Sequence, residues 1–158
     1  MSGQEISSDG VAQPTIVCIR GPSCSGKTAM AERLIAGLST QGHRVAYVKW
    51  SYDEPDLQDS SSMRIWHTKP VAMVRSGQAR VDIMYPQLAG PSIEDLLAYV
   101  PGAADIILIE THQPERYPTL LARVSTPEPG EQILQRWDLN TMADDAADAI
   151  GRIAALRR

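Results

Sequence analysis

The chain has 158 residues, 43% of them hydrophobic and 22% charged, which suits one compact domain large enough to bury a real core. A formal net charge of −4 argues against a duplex-DNA or RNA binder that works by neutralising phosphates. No window approaches about 18 uninterrupted apolar residues, so no membrane span is readable.

The leading stretch "MSGQEISSDGVAQP" lacks the basic and apolar blocks of a secretion signal. Residues 1–13 are expected to be a disordered leader, and 14–158 a single domain. "PTIVCIRG" is a short apolar run closed by glycine, the pattern of a fully buried strand. From Lys27 onward, Met30, Leu34, Ile35 and Leu38 recur at helical spacing, which predicts an amphipathic helix over 27–39. "QGH" breaks it and "RVAYVKW" supplies a second strand. Strand, helix and strand in this short span make a βαβ unit and imply a parallel sheet.

"SYDEPDLQDSSS" is the longest irregular stretch, acidic and interrupted by proline. Such loops in compact domains are usually functional or mobile. A short helical piece is expected at "MRIWH". "PVAMV" and "RVDIMY" flank "RSGQA" and read as a β-hairpin. In "PSIEDLLAYVPG", Ser92 caps a helix with Asp95 three residues on, and Ile93, Leu96, Leu97 and Val100 share a face. "ADIILIE" is the clearest strand of all, and "TLLARVS" and "QILQRW" read as two more. Thr141 and Asp144 are expected to cap a closing helix that turns Met142, Ala146, Ile150 and Ile153 inward. The alternation predicts a three-layer α/β fold with a mostly parallel sheet and a β-hairpin extension.

Between the first strand and its helix lies "GPSCSGKT". Gly21, Gly26, Lys27 and Thr28 satisfy G-x-x-x-x-G-K-[ST], with Pro22, Ser23, Cys24 and Ser25 in the variable positions. Each position has a physical reason. Glycines let the backbone curl close to phosphate oxygens. The curled amides and the helix N-terminus cradle an anion. Lys27 reaches the β- and γ-phosphates, and the Thr28 hydroxyl suits Mg²⁺. A glycine-rich turn with an incidental lysine is the bland alternative, and the strand-before, helix-after context speaks against it.

Such a loop needs an acid at the end of a neighbouring strand. Glu110 closes "ADIILIE", at the edge where ligands bind in open α/β sheets, and is the candidate for catalysis and for the magnesium side. Asp105, at the other end of that strand, reads as a surface or turn residue. Asp53, Glu54, Asp56 and Asp59 follow the second strand, and Asp53, nearest its end, is the further metal candidate. Lys49 points either into the phosphate site or out to water. Arg64 either faces the phosphates or lies on the surface, and a lone loop histidine such as His112 is more often inert. His43 and His67 offer no metal-cluster spacing. Trp50, Trp66 and Trp137 read as core or lid packing before base-stacking platforms. Of the two cysteines, Cys18 falls in the buried-strand pattern and Cys24 on the loop, which makes a reducing cytoplasm the simplest compartment.

Taken in order, these segments resemble the MobB family of molybdopterin-guanine dinucleotide biosynthesis adaptor proteins, over roughly residues 14 to 156. The likeness is carried by "GPSCSGKT", by "RVAYVKW" with its strand-end lysine, and by Asp59, Ser60 and Arg64 in an acidic loop. "VAMVRSGQARVDIM", "DIILIE" and "LQRWDLNTMADDAADAI" carry it further. Two departures stand out: "WSYDE" replaces a histidine-rich run, and "THQPER" replaces Gly, an aromatic and Lys after the glutamate. The resemblance implies a P-loop fold that binds GTP with Mg²⁺ and hydrolyses it slowly, often as a homodimer. It also implies a partner, the guanylyltransferase that attaches GMP to molybdopterin, or another protein of molybdoenzyme maturation. Under it, Gly21, Gly26, Lys27 and Thr28 hold phosphate and magnesium, and Glu110 is the strand-end acid. Two other readings of the loop stay open: a small-molecule or nucleotide kinase using ATP–Mg²⁺, with Arg116 or Arg123 near the transferred phosphate, and a non-catalytic nucleotide-binding scaffold. The Asn-Lys-x-Asp run that many GTPases use for guanine is absent.

Overall fold

The structure, a computed structural model, describes residues 13–50, 64–65, 67–68, 73–76, 78, 81–84 and 91–157. Two compact units divide the chain, one from Met1–Ser51 with Tyr99–Arg158, the other Tyr52–Ala98.

The first unit is built on a five-stranded, wholly parallel sheet. Its strands are β1 (Thr15–Arg20), β2 (Val45–Lys49), β5 (Ile106–Thr111), β6 (Thr119–Ala122) and β7 (Ile133–Trp137), in the order β2-β5-β1-β6-β7. The chain is therefore α/β, and the parallel sheet expected from the βαβ reading is present. β1 is central, and the chain leaves it towards one side and later returns on the other. That is a switch point of strand order, where a crevice opens at the carboxyl ends of the strands.

The register fixes which side chains share a face. Ile19 of β1 lies opposite Glu110 of β5, and Glu110 in turn lies opposite Lys49 of β2. On that face, Val17, Ile19, Ile106, Leu108, Leu120, Ala122 and Trp137 form a core with two helices, α1 (Lys27–Thr40) and the C-terminal α3 (Met142–Ala155). Met30, Leu34 and Leu38 of α1 and Ala146, Ala149 and Ile153 of α3 complete it. Fully burying each large aliphatic side chain contributes about 1.5–3 kcal/mol, so this interface is what holds the sheet edge and the helix starts in place. The alternate residues Cys18, Ile107, Ile109 and Leu121 are buried as well. This double burial explains why β1 and β5 read as continuous apolar runs instead of alternating patterns. Burial, with smaller contributions from Glu115 and Glu131, pushes the Cys18 thiol up to about 12, as befits a core cysteine.

The second unit contains an antiparallel hairpin, β3 (Met73–Ser76) with β4 (Val81–Met84), and the short α2 (Ile93–Leu97). The hairpin lies where the sequence predicts it, except that Arg75 and Ser76 belong to the strand and not to the turn. At α2 the expected capping box forms: the Ser92 hydroxyl accepts from the Asp95 amide, and the Asp95 carboxylate accepts from the Ser92 amide.

Capping of α3 departs from expectation. Thr141 is the N-cap residue, but its hydroxyl donates to Asp145 Oδ2 at 2.7 Å, and no side chain caps the helix amides. Asp144 is exposed. Asp145 is the carboxylate that organises this end, because it also accepts the Asp138 amide at 2.9 Å and so ties the 138–141 loop to the helix. A second departure concerns Asp105, which is not a free surface acid. Its carboxylate receives the Arg44 backbone amide and guanidinium and lies 3.5 Å from Arg157, and those hydrogen bonds hold it well below the usual carboxylate range.

Candidate functional site

β1 ends at Arg20, and the loop 21–26 then turns back to start α1 at Lys27. Its two glycines are constrained for different reasons. A Cβ on Gly21 would lie 2.5 Å from Ser25 Oγ and 2.8 Å from Ala122 Cβ, so the loop is packed against itself and against β6. Gly26 sits at φ +88°, a left-handed conformation, and a Cβ there would meet Leu139 Cδ2 at 2.5 Å and Met142 Cε at 2.9 Å. Among the described residues, Cys24 is the non-glycine residue that also takes a positive φ, 59°, and it lies exposed with Pro22 and Ser23.

Within the loop, the Lys27 ammonium donates to the Pro22 carbonyl at 2.7 Å and so braces the curl from inside. Lys27 is buried, and burial lowers its pKa; the Glu110 charge opposes that effect and the Lys49 charge adds to it. The first intrahelical bond of α1 runs from the Met30 amide to the Gly26 carbonyl, 2.9 Å. The amides before it belong to the first turn, which has no intrahelical acceptors. They therefore point their positive ends into the curl.

Glu110 reaches the same place from β5. It is 4% exposed, yet it is a carboxylate, so its oxygens must be satisfied. Thr28 Oγ1 donates to Oε2 at 3.0 Å, the Tyr47 phenol donates to Oε2 as well, and Lys49 Nζ lies 3.8 Å from Oε1. Lys49 therefore borders Glu110 while its side chain stays 52% exposed, so it meets both the site and water. Tyr47 went unnoticed in the sequence. The signal was there: residues two apart on a strand share a face, so a lysine turned to the site carries Tyr47 with it.

Asp53, with Glu54, Asp56, Asp59 and Trp66, falls outside the described residues. Arg64 and His67 belong to the second unit and are exposed. Trp137 is core, 1% exposed, with its ring edge under Gly26. Arg116 stacks on Tyr117, 5.1 Å from the ring centroid. No group of three His, Cys, Asp or Glu side chains forms a metal cluster among the described residues. No helix among them is long and apolar enough to cross a membrane.

The cradle fits a phosphate chain. The Ser25 hydroxyl oxygen is buried with no hydrogen-bond partner among the described residues, an orphaned polar atom within the loop, beside Gly21. The Thr28 hydroxyl and Glu110 carboxylate beside it are hard oxygen donors of the kind magnesium takes.

The family model described as molybdopterin guanine dinucleotide synthesis protein B matches residues 16–144. The chain belongs to the MobB family. Solved structures of MobB proteins share its fold. One crystal structure of molybdopterin-guanine biosynthesis protein B superposes with a TM-score of 0.66 at 19% identity, covering 89% of this chain and 99% of the other. A MobB homologue from Bacillus stearothermophilus gives 0.61 at 18%, over 89% and 98%. Bacillus subtilis MobB gives 0.60 at 18%, over 89% and 96%. No curated protein sequence matches. Membership in the MobB family places the chain in molybdenum cofactor biosynthesis, with a nucleotide-binding α/β fold.

Proposed function

We propose that this MobB-family chain is a GTP-binding adaptor with weak GTPase activity that assists assembly of molybdopterin guanine dinucleotide, working in the cytoplasm beside the guanylyltransferase as a homodimer. The observation that carries the nucleotide part is the orphaned Ser25 hydroxyl inside the glycine-bounded curl closed by Lys27. In this reading the loop from Gly21 to Thr28 binds the phosphates. Lys27 exchanges its Pro22 contact for the β- and γ-oxygens, and the amides at the start of α1 take up the remaining charge. Magnesium, when bound, neutralises charge on the phosphate oxygens; Thr28, with Glu110 behind it, would hold it. Asp53 is a further candidate for the metal side.

Hydrolysis in such a site requires an acceptor for the proton of attacking water. Glu110 is the carboxylate at the crevice edge, and its existing bonds to Thr28 and Tyr47 limit its freedom to serve. Slow turnover is consistent with that arrangement. The guanine preference rests on the family. Calorimetric titration of GTP against ATP, each with magnesium, tests the whole proposal. A chain that prefers ATP and passes phosphate to an added acceptor is a kinase, and the adaptor reading then fails.

A further inference from the structure

β2 is an edge strand, and the two side chains it turns towards the site, Tyr47 and Lys49, converge on one buried carboxylate. Glu110 could be satisfied by Thr28 and the register-matched Lys49 without any help from the residue two positions earlier. Yet the Tyr47 phenol spans that distance and donates to Oε2, the same oxygen that receives the Thr28 proton at 3.0 Å. The phenol also lies against the Thr28 hydroxyl, so the three side chains meet at one place.

The direction of these bonds matters. A threonine hydroxyl has one proton and two lone pairs. With the proton fixed on Glu110, the lone pairs of Thr28 face away from the carboxylate. A hydroxyl that rotates freely must lose that freedom before it can ligate a cation. Outer partners that orient a ligating group typically change metal affinity by about 10- to 100-fold when removed.

We propose that Tyr47 is a positioning residue for the magnesium side of the phosphate site: it pins Glu110 so that Glu110 holds the Thr28 hydroxyl with its lone pairs presented to the cation. Lys49 supports the same carboxylate by charge, at 3.8 Å. The clamp rests on the nucleotide-binding reading above and adds to it a residue that touches neither nucleotide nor metal. Its effect is confined to the cation, because the phosphate contacts belong to the loop amides and Lys27.

The test is a magnesium titration of nucleotide affinity, with a slowly hydrolysed GTP analogue as the probe and the wild-type chain beside Tyr47→Phe. The phenol is partly exposed and the substitution removes one oxygen, so matched thermal melts show that folding is kept. Expected are metal-free affinities within about twofold of each other, and a magnesium midpoint about tenfold higher in the variant. In a Glu110→Ala background, Tyr47→Phe is expected to move the midpoint less than it does in the wild-type chain, because the clamp works through that carboxylate while the phenol also neighbours Thr28. A wild-type chain whose analogue binding ignores magnesium, or that does not bind the analogue, overturns the site and the clamp together. Magnesium-strengthened wild-type binding with an unmoved midpoint in Tyr47→Phe overturns the clamp alone. An equal loss of affinity with and without magnesium also overturns it, since that is the mark of a general packing defect.

Discussion

Thr28 and Glu110, 82 residues apart in the chain, are joined by a hydrogen bond of 3.0 Å across the carboxyl edge of the sheet. The bond links the first residue positions of α1 to the end of β5, so the phosphate loop and the strand-end acid cannot move independently. It follows that changing the charge of Glu110 while keeping its shape separates two roles. In Glu110→Gln the amide oxygen still accepts from Thr28, while the negative charge beside Lys49 and Lys27 is gone. At saturating magnesium, GTP affinity should stay within about threefold, while hydrolysis falls by about two orders of magnitude, the lower end of what a positioned base supplies. Single-turnover hydrolysis with parallel calorimetry reads both. Turnover that survives intact would show that Glu110 is not the proton acceptor.

Gly26 makes a sharper demand on the loop than Gly21, because both its backbone angle and its surroundings exclude a side chain. In Gly26→Ala the left-handed conformation costs about 1–2 kcal/mol, and the added methyl pushes into Leu139 and Met142. Those neighbours are the ends of flexible side chains, so the fold should survive with a stability loss of about 1–3 kcal/mol. Nucleotide binding should drop more steeply, because the curl that aims the amides is displaced. Urea unfolding gives the first quantity and titration of GTP the second. A stability loss with unchanged affinity would argue that the curl is not the binding element.

Some of this was legible in the residues and some was not, for physical reasons. β1 and β5 are buried on both faces, so "IVCI" and "IILI" announce themselves as uninterrupted apolar runs. The phosphate loop shows in its glycine spacing because its conformation is dictated locally, and Glu110 shows because it ends an unmistakable strand. Asp145 was missed by one residue: a helix start is locally ambiguous, and only the position of the Asp138 amide decides which acid turns back. Arg20 and Glu131 could not have been paired, since they are 111 residues apart and Glu131 lies in "TPEPGEQ", where no periodicity exists. Tyr47 falls between these cases, readable by strand alternation once Lys49 has been placed beside Glu110.

Asp145 ties down the loop that leans on Gly26, taking the Asp138 amide at 2.9 Å and the Thr141 hydroxyl at 2.7 Å. Asp145→Ala removes both bonds at the start of α3, and the usual cost of losing such a local anchor is about 1–2 kcal/mol. Leu139 and Met142 then lose their fixed position over the phosphate loop. Asp145→Asn keeps one acceptor oxygen and should recover about half of the loss. Hydrogen exchange at the Asp138 amide checks the mechanism directly: its protection should fall in the alanine variant while β5 amides are unchanged. Uniform loss across the sheet would mean that the anchor acts on the whole core.

Arg20 leaves the end of β1 on the face opposite Glu110 and clasps Glu131 with two bonds, Nε to Oε1 and Nη2 to Oε2, each 2.6 Å. Nη2 also donates to the Thr126 carbonyl, and Glu131 accepts the Glu128 amide, so the loop before β7 is organised around one buried pair. The side chains are 8% and 1% exposed. Removing one partner strands a buried charge, so Arg20→Met should cost about 3–5 kcal/mol, whereas Arg20→Met with Glu131→Leu should recover most of it. The acid response carries the sign of the pair. Burial by itself would raise the Glu131 pKa, but the Arg20 hydrogen bond and charge, with the Glu128 amide, hold it below its ordinary 4.5. A carboxylate depressed in the folded state stabilises fully above its unfolded value and loses that contribution as the pH falls through the folded one. Wild-type stability should therefore decline from about pH 5 downward, and the double variant should decline less steeply. Urea midpoints measured across that range for both proteins check it. Parallel slopes would assign the acid sensitivity to other carboxylates, Asp105 first among them.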